Sequence, residues 1–272
     1  MRCFDVGTNN PQGIYAGVDI GSLTTKSVIM KGGKVIGSSI LHTGIQPEES
    51  GTEVLRMALD SISLSQTDLR YTIATGYGRI SARYADDTAT EITCHTKGVY
   101  HYNPSARTII DMGGQDCKVI RVDESGNVSD FIMNDKCAAG TGRFLEVIAS
   151  AFKVGLDELG PMALEGTECV PISSTCTVFA ESEVISLLAR GEKPENILRG
   201  IHNAISNRIA GMAFRVGVEK DIFFSGGVAK NAGMKSALEG VFHESILIPG
   251  FDPQLMGALG AAVLAGNLGS GE

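Results

Sequence analysis

Two cysteines stand where a thiol could do chemistry. In NDKCAAGTGRFLEVIASAF, residues 134 to 152, Cys137 precedes a run in which Phe144, Leu145, Val147, Ile148, Ala151 and Phe152 recur as one face of an α-helix. Ala138 to Gly142 are small enough for close backbone approach. Cys137 is therefore expected near a helix N-terminus, at the mouth of the helix, where free N–H groups and the positive end of the helix dipole favour the thiolate that binds metal or attacks. ISSTCTVFAESEVISLLARG repeats the arrangement. Cys176 follows a Ser/Thr run and opens a helix with Val184, Ile185, Leu187 and Leu188 on its apolar side, ending at Gly191. Either cysteine taken alone also reads as a small buried apolar residue.

A second chemistry is carried by Asp-x-Gly hairpins. The strand YAGVDIG stops at Gly21, and SLTTKSVIM resumes strand character after a turn, leading through KGGK into KVIGSSIL. A Rossmann or P-loop site needs a helix directly after its glycines, and the β-meander excludes both. In DIGSLTTK, backbone N–H groups and hydroxyls can wrap a phosphate across Ser22, Leu23, Thr24, Thr25 and Lys26, while Asp19 faces a hydrated magnesium ion. An ordinary tight turn is the alternative. The pattern recurs: in TIIDMGGQDCKVIRVDESGNVSDFIM, Asp111, Gly113 and Lys118 lie 92 residues beyond Asp19, Gly21 and Lys26. Internal duplication follows. Two similar lobes with facing hairpins would clamp a polyphosphate and its metal in a cleft, Gly114 and Gln115 contributing from the second copy.

The surrounding elements have to position these residues. Residues 48 to 63 read as an amphipathic helix, YTIATGYG as a strand ending in a glycine loop, and residues 79 to 102 as largely helical up to Pro104. A long helix opens at Pro194. DIFFSGGVAKNAGM reads as a buried strand, a Gly-Gly turn and a helix from about Asn231, with backbone exposed at Gly226 and Gly227 for a flat ring such as adenine. Gln254 is expected near the same adenosine. PQLMGALGAAVLA is a helix whose Gly257, Gly260 and Ala261 allow a close helix contact. The expected lobes are residues 13–107 and 108–272.

Composition sets the outer bounds. With 272 residues, 43% of them hydrophobic, the chain can bury a proper core, and a net charge of −8 without a Lys/Arg run argues against a nucleic-acid partner. Neither a signal peptide nor a membrane span is legible, so a cytoplasmic protein is expected. Six dispersed cysteines fit reduced thiols and metal or redox chemistry better than a disulfide framework. Cys117 reads as a buried strand residue, Cys169 competes with Cys176 as a ligand, and the five histidines show no ligand spacing.

The order DIGSLTTK, IDMGGQD, FSGGVAKN, GALGAA resembles the phosphate, adenosine and connecting motifs of the superfamily of acetate and sugar kinases, large heat-shock chaperones and actin. With NDKCAAGTGRF and SSTCTVFAESEVISLLARG added, residues 14 to 266 look like the activator (component A) of 2-hydroxyacyl-CoA dehydratases. That group also holds the ATPase subunits of benzoyl-CoA reductase. The resemblance implies an α/β chain with a duplicated RNase H-like (actin-like ATPase) fold, two lobes around a nucleotide cleft. It implies a homodimer whose Cys137 and Cys176 hold one four-iron four-sulfur cluster at the subunit interface, near converging helix N-termini. ATP with Mg2+, positioned by Asp19, Asp111 and Gln115, would drive one electron from that cluster to a dehydratase (component D). A ferredoxin or flavodoxin would resupply the electron. The ATPase subunit of a benzoyl-CoA reductase-type enzyme is the alternative within that group; a small-molecule kinase and a non-catalytic actin-like scaffold are the rivals outside it, and a kinase does not explain the two cysteine motifs.

Overall fold

The computed structural model describes residues 13–173 and 177–269, and they divide into two compact units. The first comprises the chain up to Ala106, with Val122–Val128 and the segment from Gln254 onward. Its strands are β1 (Ile14–Ile20), β2 (Thr24–Lys31), β3 (Lys34–His42), β4 (Leu69–Thr75) and β5 (Asp87–Thr88), in the order β3-β2-β1-β4-β5. β1 pairs antiparallel with β2 and β2 with β3, while β4 runs parallel to β1 and β5 to β4. Helix α1 (Pro47–Asp60) covers one face with Val54, Leu55, Ala58 and Leu59 on Val18, Ile20 and Ile29. Pro47 at its first turn and Glu48 and Glu49 beside it suit a helix N-terminus.

Helix α2 (Glu91–Tyr102) starts behind Thr90, whose hydroxyl accepts from Thr93 N. The expectation of helix across 79–102 is thus corrected at its front half: Arg79–Ser81 is a 3₁₀ turn and Asp87–Thr88 adds the edge strand. Ile80 there is 86% exposed, so it supplies no apolar face to hold a longer helix.

The second unit, Arg107–Arg121 with Ser129–Pro253, repeats the plan. Its sheet is built from β6 (Thr108–Met112), β7 (Cys117–Val122), β8 (Val128–Asn134), β9 (Ile222–Ser225) and β10 (Ile246–Leu247), ordered β10-β9-β6-β7-β8. β6 and β7 are antiparallel, β9 is parallel to β6 and β10 to β9, the same logic as the first sheet. The helices are α3 (Gly142–Phe152), α4 (Leu159–Glu165), α5 (Thr177–Ala189), α6 (Pro194–Val216) and α7 (Ala232–Phe242). The buried stripe of α6, Ile197, Ile201, Ile205 and Ile209, joins Phe144, Leu145 and Ile148 of α3 in one core with Ile110 and Phe224 of the sheet. The duplicated RNase H-like expectation holds in both sheets.

The last helix, α8 (Met256–Gly269), belongs to the first unit, which corrects the expected boundary that gave residues 254 onward to the second lobe. Small residues explain the placement. A side chain at Gly260 would collide with Cys94 O on α2, and one at Gly17 with Ala258 O, so α8 lies backbone-close on both α2 and β1.

Candidate functional site

Asp19 and Lys26 face each other across the β1–β2 ladder, Nζ 3.1 Å from Oδ2, and Asp19 is buried. Between them Gly21 N donates to Thr24 O at 3.1 Å, closing a tight turn with Ser22 exposed and Leu23 half-buried at its tip. Thr25 departs from its expected role. It is fully buried, its hydroxyl 2.8 Å from that of Thr43, which in turn donates to Gly21 O. Thr25 therefore shapes the turn from beneath. Thr43, which nothing in the sequence singled out, fastens it.

Gln254 Nε2 donates to Thr24 Oγ1 at 3.3 Å, which ties its side chain to the first hairpin. Asp19 Oδ2 and His95 Nε2 both flank the space in front of Gly257, a position that only a residue without a side chain leaves open. Gly257 was read as a helix contact; it also gives the Asp19 carboxylate room.

The second hairpin repeats the first. Gly113 N donates to Asp116 O at 3.0 Å, and Asp111 faces Lys118 across β6 and β7. The copy is more deeply buried and has an added carboxylate: Lys118 Nζ lies 2.6 Å from Asp116 Oδ2 and 3.4 Å from Asp111 Oδ2. Ser225 Oγ donates to Asp111 Oδ1 at 2.9 Å. Gly114 is half-buried and Gln115 exposed at the tip. Gly226 has φ +84, N–H bonded to Pro253 O, and its Cα face against Met112 O. It is buried, which corrects the expectation of exposed backbone there; Gly227, half-buried, opens the 3₁₀ turn Gly227–Lys230. Asp111, Ser225 and Gly226 thus converge at the carboxyl ends of β6 and β9.

The cysteine segment also differs from expectation. Helix α3 begins at Gly142 with Thr141 as its N-cap, so Cys137 lies in the loop before it and not at its mouth. Gly142 N and Arg143 N donate to Gly113 O and Gly114 O, each at 2.8 Å. These first-turn N–H groups are committed to the second hairpin and are not free for another acceptor. Cys137 is a free, half-buried cysteine; Cys176 lies outside the described residues. Cys117 sits in the core against Met212 Sδ, and burial pushes its thiol up to about 11. Burial pushes Cys94 up to about 12. Both are protonated at neutral pH and are poor metal ligands. Cys169 is exposed. Among the described residues no three His, Cys, Asp or Glu side chains gather as a metal site.

The family model for BadF/BadG/BcrA/BcrD ATPases matches residues 16–265. The chain belongs to this ATPase family. It is 48% identical to an activator of lactoyl-CoA dehydratase from Anaerotignum propionicum, over 92% of this chain and 96% of that protein. Among solved structures, the Acidaminococcus fermentans (R)-2-hydroxyglutaryl-CoA dehydratase component A superposes with a TM-score of 0.91 at 41% identity, covering 95% of this chain and 99% of that one. The activator of the 2-hydroxyisocaproyl-CoA dehydratase from Clostridium difficile, solved with bound ADPNP, gives a TM-score of 0.89 at 42% identity over 94% and 96% of the two chains. A ROK family glucokinase from Streptomyces griseus reaches 0.56 at 13% identity, over 93% and 99%, a likeness of fold alone. The ATPase family thus carries the two-lobed, duplicated fold expected from the motifs. No helix among the described residues is long and apolar enough to cross a membrane.

Proposed function

We propose that this ATPase is the activator of a 2-hydroxyacyl-CoA dehydratase, delivering one electron at a time to that partner at the expense of ATP. The observation that carries the reading is the bond pair from Gly142 N and Arg143 N to Gly113 O and Gly114 O. It makes the second Asp-x-Gly turn and the Cys137 segment one connected piece of backbone. The identity to dehydratase activators over nearly the whole chain supports the same reading.

Each hairpin has its part in ATP hydrolysis. The turn Gly21–Thr24 offers Ser22 and Thr24 with backbone N–H groups to phosphate, and the turn Gly113–Asp116 offers Gly114 and Gln115. Asp19 in the first hairpin and Asp111 in the second are each the carboxylate that would serve a hydrated Mg2+, and Lys26 and Lys118 fix the carboxylate of their own hairpin. Gln115 orients the attacking water. Positioning of this kind suffices, because phosphoryl transfer needs little covalent help from a protein. Gly227 lies beside the adenosine. When phosphate leaves the second turn, α3 and the Cys137 loop shift with it.

Cys137 and Cys176 of each of two copies hold one four-iron four-sulfur cluster, which supplies a single low-potential electron when bound. Cys137 fits that group: it is half-buried in a loop, and the nearby Cys117 is withdrawn into the core. Helix α5, directly after Cys176, exposes Phe179 and Ile185, as a helix covered by a second copy would. The assembly works reduced and anaerobic in the cytoplasm, with a ferredoxin or flavodoxin as donor. The test mixes reduced protein with its dehydratase and follows oxidation with ATP, with ADP and with a non-hydrolysable analogue. Transfer is expected with ATP only; equal transfer without nucleotide would overturn the coupling.

A further inference from the structure

Asn134, the last residue of β8, stands three positions before Cys137. Its Nδ2 donates to Cys137 O at 2.8 Å and to Ala139 O at 3.3 Å. The carbonyl between them is also taken, since Ala138 O accepts from Thr141 N at 3.0 Å and from Thr141 Oγ1 at 2.7 Å. Three successive carbonyl oxygens after the thiol are therefore gathered onto internal donors. Gly140, at φ +87, gives the turn Ala138–Thr141 the left-handed residue that a type II turn requires.

Every peptide here is trans, so the C=O and N–H of one peptide unit point in opposite directions. Drawing the oxygens of 137, 138 and 139 inward turns the N–H groups of 138, 139 and 140 away from that bracket. A thiolate, and any anionic group bound to it, is repelled by carbonyl oxygens and attracted by N–H groups. The bracket therefore fixes the backbone from which the Cys137 side chain projects.

We infer that Asn134 is a positioning residue for Cys137, holding the loop oxygens inward so that the thiolate and its bound cluster face backbone N–H groups. The inference rests on the cluster role proposed for Cys137. Asn134 acts through the loop and does not touch the cluster.

The test uses full-length protein purified anaerobically, with Asn134→Leu and Thr141→Val. Leu keeps the branched shape of Asn and removes its donors; Val keeps the shape of Thr and removes one donor to Ala138 O. Circular dichroism verifies the fold. Iron and acid-labile sulfide are counted per dimer, iron loss to a chelator is timed, and the cluster is titrated by EPR against a redox buffer. Both variants are expected to lose iron several-fold faster than wild type, with a midpoint at more negative potential. Should Asn134→Leu fail to fold, Thr141→Val carries the test. Wild-type iron retention and midpoint in the folded variants, alongside iron loss in Cys137→Ser, would overturn the positioning role. Full iron in Cys137→Ser would instead overturn the cluster assignment.

Discussion

Lys118 stands opposite Asp111 across the β6–β7 ladder, its Nζ 3.4 Å from Oδ2, with both side chains almost wholly buried. Asp116, on the same turn, takes the ammonium at 2.6 Å. Two carboxylates on one buried cation make Lys118 the fixed point of the second hairpin. Lys118→Met is expected to cost about 3–5 kcal/mol, because it removes the cation facing a buried carboxylate. Urea unfolding measures the loss, and Asp111→Asn in the same chain should recover part of it. A midpoint unchanged from wild type in Lys118→Met would mean that the pair does not hold the hairpin.

Asp19→Asn keeps the size of the side chain and its place beside Gly257 while removing the charge. Mg-dependent ATP hydrolysis should fall about a hundredfold or more, the scale on which losing one electrostatic contact to a reacting group acts. Phosphate release is the readout. A wild-type rate would remove Asp19 from the metal site.

Cys117→Ala separates the buried thiol from the proposed ligands. The variant should retain about four irons per dimer, whereas Cys137→Ser and Cys176→Ser should each abolish the cluster, since two-fold symmetry removes two of its four thiolates at once. Loss of iron in Cys117→Ala with the fold intact would contradict the protonated, core-facing assignment.

His202 is buried on α6 with Nδ1 on Leu198 O and Nε2 on Asn231 Oδ1, and burial holds its pKa below the usual histidine range. The folded chain then resists protonation that the unfolded chain accepts. The resulting stability is fully present above the unfolded pKa of about 6.5 and is lost as pH falls from there toward the lower folded value, by at most about 1.4 kcal/mol per pH unit. Urea midpoints at pH 8 and pH 5.5 should drop further for wild type than for His202→Gln. Equal drops would exclude His202 as the group responsible.

The two hairpins were legible because a seven-residue spacing from Asp to Lys across a tight turn places the two side chains opposite each other, and the 92-residue repeat displays the arrangement twice. Thr43 and Gln254 could not be assigned this way. Thr43 fastens the first turn from the far end of β3, and Gln254 reaches Thr24 from 230 positions away, a contact no local pattern encodes. Cys137 was placed too close to its helix because small residues fit a helix start and a turn equally well; Ala138–Thr141 is the turn, and helix α3 follows it. The start of α2 had a usable signal in Thr90, which the glycine loop and the apolar Ile80 obscured.

The placement of α8 on β1 and α2 bears on how the chain is made. A ribosome delivers residues 107–253 before it delivers Met256–Gly269, so the second unit can finish folding while the first sheet still lacks a cover. Until translation reaches those residues, Gly17 and the α2 face around Cys94 and Gly98 lie bare. The nascent first unit therefore passes through an interval of exposed apolar surface, although most of it is synthesised before the second unit.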